Sequence, residues 1–378
     1  MTPTIYEPSP LGHRLDFVRL IATGLIDLGL TPTWVTTEAA AQSAEAATHL
    51  GGILGDLDIR ADATPLDDLS ATNARARFND LRQLASDQEV DWLYVPYGDH
   101  VAQLAAIPGL WPKTDTPTEA LLFRARFAYP RDRHRDRALA AASLRAATAT
   151  PWTHLFFLDP LAAEYLGRDG IGHHDLMPEP VEQHSPIDRN AARAMFDLPE
   201  DARVLALTGA IDERKGALEL ARAFADADLP DGVVLAYLGT VGTAIKPTLG
   251  AMASADDRIV IVDRHLNDDE FWAAMCSADV LCATYLRHVG SSGIVARAAY
   301  LGTPMLSSDY GWVGEATRRY GLGTTVDTID HENLTAAVER VARSDLASTR
   351  TATSEPFVAF NTPERFTDLW MQGIGEGR

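Results

Sequence analysis

Short apolar runs alternate with helical stretches along nearly the whole chain. After Gly12, apolar side chains recur from Leu15 to Leu28 at the spacing of one helical face. Compact apolar runs, such as residues 92–96, are typical of buried strands. Strands that alternate with helices in this way form parallel sheets covered by helices, so the pattern predicts an α/β fold.

The pattern predicts two successive series of strands and helices. The predicted strands cover residues 4–6, 33–35, 92–96, 121–127 and 154–158 in the first half, and 203–207, 233–238, 258–262, 280–284 and 305–308 in the second. The predicted helices are the one after Gly12 and residues 71–85, 131–147, 216–224, 268–277, 294–301, 314–320 and 332–343.

The segment 177–199 is rich in proline and has no clear period, which is typical of a linker. We therefore expect two Rossmann-like, doubly wound domains that face each other across a cleft. They are an N-terminal domain of residues 1–180 and a C-terminal domain of residues 181–354. An aromatic C-terminal helix, residues 355–378, is expected to pack back on the first domain. Ligands of such open sheets bind at the carboxyl ends of the strands.

The composition is that of an ordinary folded protein, with 46% hydrophobic and 23% charged residues among 378. No apolar run approaches the roughly 18 residues that span a bilayer, and the start of the chain lacks a secretory signal. Cys276 and Cys282 are too few for a disulfide framework or a metal site. We therefore expect a cytoplasmic protein.

The charge balance narrows the set of partners. Acidic residues outnumber basic ones by 53 to 33, which gives a net charge of −20. Such a chain repels nucleic acid, so no nucleic-acid partner is expected. Only three of the basic residues are lysines, namely Lys113, Lys215 and Lys246. Because lysine is so rare here, each lysine is a candidate for a specific role.

One candidate anion site is the turn after the strand at 203–207. The strand leads to Gly209, two adjacent cations follow at Arg214 and Lys215, and a helix is predicted to begin at Gly216. Helix N-termini attract anions, and neighbouring cations strengthen the attraction. The alternative is a loop whose cations pair with nearby acidic residues. The rarity of lysine favours the phosphate site.

A second candidate is the turn at residues 290–293, Gly-Ser-Ser-Gly, between a buried strand and a predicted helix. Glycine permits close approach of the backbone, and consecutive amides can surround an oxyanion. Serine at this position is also a common helix cap, so the pattern alone leaves both interpretations open.

These stretches resemble the donor-binding domain of the GT-B glycosyltransferases, in particular the large retaining group called family 4. The resemblance covers about residues 200–345, and residues 8–13 resemble the family's early glycine-rich loop. The matching stretches are residues 208–209, 215–217, 234–239, 290–294, 298–304, 314–315 and 321–323.

The resemblance implies a retaining sugar transferase that uses a UDP- or GDP-sugar and needs neither a metal nor another cofactor. Lys215 and Arg214 would neutralise the diphosphate leaving group, and the acceptor would bind to the first half. The residues to which the resemblance assigns donor or phosphate binding are Gly12, Gly209, Arg214, Lys215, Ser291, Ser292, Gly293, Ile294 and Arg297.

The chain departs from the family at two typical glutamates. Arg297 stands at the second of these positions, and residues 280–304 contain no Asp or Glu. Arg297 is equally suited to contact a phosphate or to form an outer ion pair. The departure leaves two alternatives to a transferase. One is a catalytically silent GT-B protein that binds a nucleotide or sugar, and the other is a GT-B epimerase of UDP-sugars.

Candidate catalytic groups lie in the first half. Asp99 and His100 follow a predicted strand and could act as a general base on an acceptor hydroxyl, and His13 is a further candidate. The alternative for Asp99 is a helix cap beside a surface histidine. Six arginines between Arg124 and Arg137 favour a solvated helix with ion pairs. Alternatively they form a patch for an anionic acceptor or a membrane surface, which would make the protein peripheral to the membrane.

Overall fold

A computed structural model describes residues 1–10, 14–65, 71–99, 101–105, 107, 109–124, 152–162, 164, 174–182, 184–185, 187–345, 348–349 and 351–376. The chain divides into two compact units. Unit 1 comprises Met1–Pro178 together with Pro363–Arg378, and unit 2 comprises Glu179–Thr362. Within the described residues, no helix is both long and apolar enough to cross a membrane.

Unit 1 contains a parallel sheet of seven strands in the order β3-β2-β1-β4-β5-β6-β7. The order reverses between β1 and β4, as in doubly wound folds. The strands are β1 (Pro3–Tyr6), β2 (Thr33–Val35), β3 (Asp58–Arg60), β4 (Trp92–Val95), β5 (Thr118–Leu122), β6 (His154–Phe157) and β7 (His174–Leu176).

Helices cover both faces of this sheet. One apolar cluster contains Phe17, Trp34, Phe366 and Trp370, and the other contains Phe78 and its neighbours. Burial of these large side chains is the main source of stability of the unit. The helices are α1 (Arg14–Asp27), α2 (Glu38–Ala41), α3 (Ala44–Leu50), α4 (Ala71–Ser86), α5 (Ala102–Ala105) and the C-terminal helix, Pro363–Glu376.

Unit 2 contains a second parallel sheet, of six strands in the order β10-β9-β8-β11-β12-β13. The order reverses between β8 and β11. The strands are β8 (Arg203–Thr208), β9 (Val233–Gly239), β10 (Ile259–Asp263), β11 (Val280–Ala283), β12 (Met305–Ser308) and β13 (Gly323–Val326). These two sheets confirm the prediction of two Rossmann-like domains.

The helices of unit 2 are amphipathic or apolar segments that cover its sheet, with Phe224, Leu249 and Val338 in one core cluster. A 3₁₀ turn, Glu213–Lys215, precedes the second of them. The helices are α6 (Arg189–Ala194), α7 (Ala217–Asp226), α8 (Lys246–Ala255), α9 (Asp268–Cys276), α10 (Gly293–Leu301), α11 (Gly311–Arg319), α12 (His331–Arg343) and α13 (Glu355–Phe360). The C-terminal helix of unit 1, Pro363–Glu376, is therefore α14.

The C-terminal segment differs from the expected single helix. It forms two helices, α13 and α14, and only α14 packs on α1 of unit 1. Helix α13 belongs to unit 2, because the Phe357 ring lies 4.6 Å from that of Tyr320 and 6.1 Å from that of Trp312. The expected linker likewise contains a helix, α6, which begins at the capping side chain of Asp188.

The buried carboxyl group of Glu119 should make the stability of unit 1 depend on pH. Glu119 is 3% exposed, and an added Cβ at Gly373 on α14 would lie 2.8 Å from its Oε1 atom. Burial raises the pKa of Glu119 to about 8, although the nearby Trp92 side chain opposes the shift. Its cross-strand neighbours are Tyr94 on β4 and His154 on β6. The folded state therefore keeps a proton that the unfolded chain releases near pH 4.5.

We expect Glu119→Gln to remove this pH dependence. Between about pH 5 and pH 8, the free energy of unfolding of the wild type should fall by up to about 1.4 kcal/mol per pH unit. The variant should therefore gain stability relative to the wild type as the pH rises through this range. Urea unfolding at several pH values measures the difference. Glu364→Gln, at an exposed position of α14, is the control, and a constant difference between Glu119→Gln and the wild type would refute the prediction.

Candidate functional site

The two candidate turns of unit 2 follow strands β8 and β11, between which the strand order reverses. Strands β8 and β11 are hydrogen-bonded neighbours, with Val280 paired to Leu205 and Leu281 to Ala206. Because the strands are parallel, their carboxyl ends meet at one edge of the sheet. That edge is where doubly wound sheets bind their ligands.

Lys215 is held at the end of β8 by backbone contacts. Its side chain is folded back so that Nζ donates a hydrogen bond to the Thr208 carbonyl oxygen at 2.6 Å. An added Cβ at Gly209 would lie 3.5 Å from the same Nζ atom. The Asp212 carboxylate accepts a hydrogen bond from the Lys215 amide and caps the 3₁₀ turn. The ammonium of Lys215 therefore lies beside the Gly209 turn, as the sequence had suggested.

Burial strongly affects the charge of this lysine. Lys215 is 8% exposed, and burial lowers its pKa to about 8, helped by the nearby charge of Arg214 and opposed by that of Asp212. The described residues offer Lys215 no ion pair, whereas Arg214 pairs loosely with Asp212 at 3.6 Å. The alternative of cations paired with nearby acidic residues thus applies to Arg214 and not to Lys215. A buried ammonium without a carboxylate partner is suited to an anionic ligand.

Backbone contacts bring the two turns together. The Leu286 amide donates to the Arg214 carbonyl oxygen at 2.9 Å, and the Thr284 hydroxyl donates to the Lys215 carbonyl oxygen at 3.0 Å. Gly216 between them has φ +67°, and an added Cβ would lie 2.2 Å from the Thr284 carbonyl oxygen. Only glycine fits this close approach in a left-handed conformation.

Tyr285 forms the side-chain link between the turns. The guanidinium carbon of Arg214 lies 5.2 Å from the centre of its ring, and its hydroxyl lies 2.8 Å from Ser292 Oγ. Burial raises the pKa of Tyr285, so the hydroxyl stays protonated at neutral pH. Ser292 begins helix α10 as its N-cap, but its hydroxyl bonds to Tyr285 instead of capping the helix. The common-cap interpretation of this serine is therefore wrong.

The N-terminus of α10 completes the arrangement. The first amides of a helix, here those of Gly293 and Ile294, have no partner within the helix and can bind an anion. Ser291 precedes them and is half-buried. Arg297 lies one turn into the helix, where an added Cβ at Gly293 would lie 2.4 Å from its Nη1 atom.

The phenyl ring of Phe271 on α9 lies next to residues of both turns. The guanidinium carbon of Arg297 lies 5.8 Å from the centre of the Phe271 ring on α9, and an added Cβ at Gly209 would lie 3.3 Å from Phe271 Cε2. Residues of both turns and of α9 and α10 thus surround one region at the ends of β8 and β11, which we call the β8–β11 site. Its members are Gly209, Arg214, Lys215, Phe271, Tyr285, Ser292, Gly293 and Arg297.

The candidate catalytic residues of unit 1 are only partly described. Gly12, His13 and His100 lie outside the described residues, as do the arginines from Arg126 to Arg137. Asp99 accepts hydrogen bonds from the backbone amides of Phe123 at 3.0 Å and Arg124 at 2.8 Å. Its carboxylate therefore orders the segment after β5. Its role as a general base remains a prediction.

The carboxyl end of β1 carries a buried charged cluster. Glu7 is 1% exposed and accepts a hydrogen bond from Arg14 Nη1 at 3.2 Å. The Arg14 guanidinium carbon lies 4.0 Å from the centre of the Tyr97 ring. Arg77, which is 5% exposed, has an Nε atom without a hydrogen-bond partner among the described residues, and burial lowers its pKa. Arg14 thus pairs with the buried Glu7 side chain, and the charge of Arg77 also acts on it.

Three residues of unit 2 were not predicted from the sequence. In the sequence, Tyr285 and Phe271 are indistinguishable from ordinary core residues. The position of Tyr285 between the strand and the Gly-Ser-Ser-Gly turn is the one signal that could have identified it. Glu179 lies in the segment before α6, far along the chain from both turns. Its Oε1 atom would lie 3.5 Å from an added Cβ at Gly293. Only the fold reveals this last proximity. Among the described residues, no three side chains form a group suited to a metal ion.

Tyr285→Phe tests the link between the turns. Loss of one buried hydrogen bond costs about 1 kcal/mol, so we expect inorganic diphosphate to bind roughly fivefold more weakly and the free energy of unfolding to fall by about 1 kcal/mol. Calorimetry and urea unfolding measure the two effects. Tyr237→Phe, which removes a 2.7 Å hydrogen bond to the Ala217 carbonyl oxygen, is the matched control. It should lower stability without changing affinity; equal losses of affinity in both variants would contradict the assignment.

Known proteins share this architecture, although no protein-family model matches the chain. A D-inositol 3-phosphate glycosyltransferase from Nocardioides sp. is 30% identical over 183 residues, 44% of this chain and 40% of that protein. The match therefore spans less than half of that relative.

Solved structures match over nearly the full length at low identity. Sucrose-phosphate synthase from Thermosynechococcus elongatus superposes with a TM-score of 0.74 at 16% identity, covering 100% of this chain and 98% of that one. HepE from Anabaena in complex with UDP gives 0.69 at 14% identity, covering 100% and 99%. WaaG, a glycosyltransferase involved in lipopolysaccharide biosynthesis, gives 0.68 at 16% identity, covering 99% and 100%. The chain therefore has the two-domain Rossmann-like fold of the GT-B glycosyltransferases.

Proposed function

We propose that this protein is a glycosyltransferase that binds a nucleoside diphosphate sugar at the β8–β11 site and transfers its sugar to an acceptor. The observation that carries the proposal is the position of Lys215. Its buried ammonium lies beside Gly209 and has no carboxylate partner among the described residues. The β8–β11 site, to which it belongs, also includes the N-terminus of α10. Such a site suits the diphosphate of a donor.

The relatives support a nucleotide-sugar donor. HepE structures contain UDP or UDP-glucose, and another structure of the same fold contains UDP-2-fluoro glucose. We therefore infer a UDP-sugar as the first donor to test, with a GDP-sugar as the alternative.

The chemistry of the site suggests transfer without a metal ion. As the bond from the anomeric carbon to the diphosphate breaks, negative charge grows on the departing phosphate. Lys215, Arg214 and the amides of Gly293 and Ile294 would stabilise that charge, with Ser291 as a further hydrogen-bond donor. Retention of the anomeric configuration rests on the resemblance to family 4, and NMR of the product would test it.

We place the acceptor in unit 1, at the carboxyl ends of β1 and β4. The guanidinium groups of Arg77 and Arg14 both lie near Glu7 there. An acceptor that bears a phosphate or carboxylate group would pair with them. The matching relative's name, with its phosphorylated inositol, is consistent with such an acceptor.

A donor screen tests the proposal. Purified protein is heated with UDP-glucose and with other UDP- and GDP-sugars, and the melting temperature is recorded for each. The accepted donor should raise the melting temperature, and prolonged incubation should release free UDP or GDP by slow hydrolysis. Binding without any release, with or without phosphorylated acceptors, would identify a silent binding protein. Conversion of the donor to its epimer would identify an epimerase.

A further inference from the structure

Gly293 at the N-terminus of α10 lacks a side chain, and the end of the Arg297 side chain packs against it. The position that a Cβ would take lies 2.4 Å from Arg297 Nη1 and 3.5 Å from Glu179 Oε1. An arginine and a glutamate therefore lie close to the same glycine, and no ion pair joins them within the described residues. Gly293 directly follows Ser292, and both residues belong to the β8–β11 site.

Glu179 is fixed in this position by its backbone. Its amide donates to Asn361 Oδ1 at 2.8 Å, and the Val181 amide donates to the Asn361 carbonyl oxygen at 3.1 Å. Asn361 is itself held by a hydrogen bond from its Nδ2 atom to the Phe357 carbonyl oxygen at 2.7 Å. The segment that carries Glu179 is thus clamped to the end of α13.

The Glu179 carboxylate has no hydrogen-bond or ion-pair partner in the part of the chain that is described, although the residue is only 4% exposed. A ligand that donates hydrogen bonds can bind to such a carboxylate. A phosphate cannot do so, because like charges repel, whereas sugar hydroxyl groups can.

We propose that Glu179 and Arg297 bind hydroxyl groups of the donor next to the diphosphate. Glu179 accepts hydrogen bonds from these hydroxyls, and Arg297 donates to a hydroxyl or phosphate oxygen. The segment before α6 thereby supplies the carboxylate that residues 280–304 lack. This inference rests on the proposed function. The hydroxyls belong either to the ribose or to the transferred sugar, and both offer the same chemistry.

The test measures binding of UDP, 2′-deoxy-UDP and UDP-glucose by calorimetry to the full-length wild type and to Glu179→Gln. If the ribose is bound, the wild type should favour UDP over 2′-deoxy-UDP by about tenfold, and Glu179→Gln should lose most of this preference. If the transferred sugar is bound, the variant should lose affinity about tenfold for UDP-glucose but keep its affinity for UDP. Glu182→Gln, at an exposed position of the same segment, is the control and should match the wild type.

A second variant, Gly293→Ala, places a methyl group where the end of the Arg297 side chain lies and so displaces it. It should reduce the same preference while the melting temperature stays near that of the wild type. Normal UDP binding with no effect of either variant on any of the three ligands would overturn this inference and leave the proposed function standing. Failure of the wild type to bind any nucleotide or nucleotide sugar would overturn both.

Discussion

Lys215→Met is expected to weaken UDP binding at least tenfold. The methionine side chain keeps the length and burial of lysine but removes the ammonium beside Gly209. A hydrogen bond between charged groups in a buried site contributes about 1.5–3 kcal/mol, which corresponds to roughly a tenfold to hundredfold change in affinity. Titration calorimetry with UDP, and with GDP in parallel, measures the effect.

Lys246→Met provides the matched control for this variant. Lys246 lies in the same unit, but its side chain is 63% exposed and its Nζ pairs with Asp263 at 2.6 Å. Its removal should leave UDP affinity within about twofold of the wild type, because exposed ion pairs contribute little. Equal losses from the two variants would show that general positive charge, and not the buried ammonium, attracts the nucleotide.

The pH dependence of binding provides a second check on the same group. The pKa of Lys215 is lowered to about 8, so the free protein loses this positive charge as the pH rises through 8. A bound diphosphate favours the charged form. Wild-type affinity for UDP should therefore decrease between pH 7 and pH 9, and the affinity of Lys215→Met should change little over the same range.

Gly216→Ala is expected to destabilise unit 2 by roughly 3 kcal/mol or more and to abolish measurable UDP binding. An added Cβ would lie 2.2 Å from the Thr284 carbonyl oxygen, so the backbones of the two turns must separate. The residue also has φ +67°, which disfavours any side chain. Urea unfolding followed by tryptophan fluorescence measures the loss of stability.

Gly232→Ala separates steric contact from backbone strain. Gly232 has φ +76°, but an added Cβ there would meet nothing within 4 Å. The substitution should therefore cost only about 1 kcal/mol, the penalty for a left-handed conformation, and leave UDP binding intact. Equal losses of stability in Gly216→Ala and Gly232→Ala would show that the steric contact between the two turns at Gly216 does not contribute to the loss.

The central strands were predictable because they are short and apolar, and most of the longer helices were predictable because their apolar residues are periodic. Helices α3, α6 and α8 were not predicted. Strands β2 and β12 match their predicted ranges, 33–35 and 305–308, in full. The edge strands β3, β7 and β13 were missed, because segments such as Asp58–Arg60 lack an apolar run. Strand β5 begins three residues before its predicted start, since Thr118 and Glu119 are buried polar residues that hide the pattern.

The site was predictable where it follows from chain order and not where it depends on tertiary contact. Parallel neighbouring strands bring the turns after β8 and β11 together, so Lys215 and Ser292 could be assigned to one place from the sequence. Tyr285 could not be distinguished from a core residue, because its role depends on where its hydroxyl points. Glu179 stands more than 100 positions before Gly293, and only the folded chain shows that they meet.

A crystal structure of the protein with UDP tests the central claim most directly, namely that the two turns bind one diphosphate together. The account predicts diphosphate oxygens within hydrogen-bond distance, about 3.2 Å or less, of both Lys215 Nζ and the first amides of α10. A diphosphate that contacts only one of these turns, or that binds elsewhere on the protein, would contradict it.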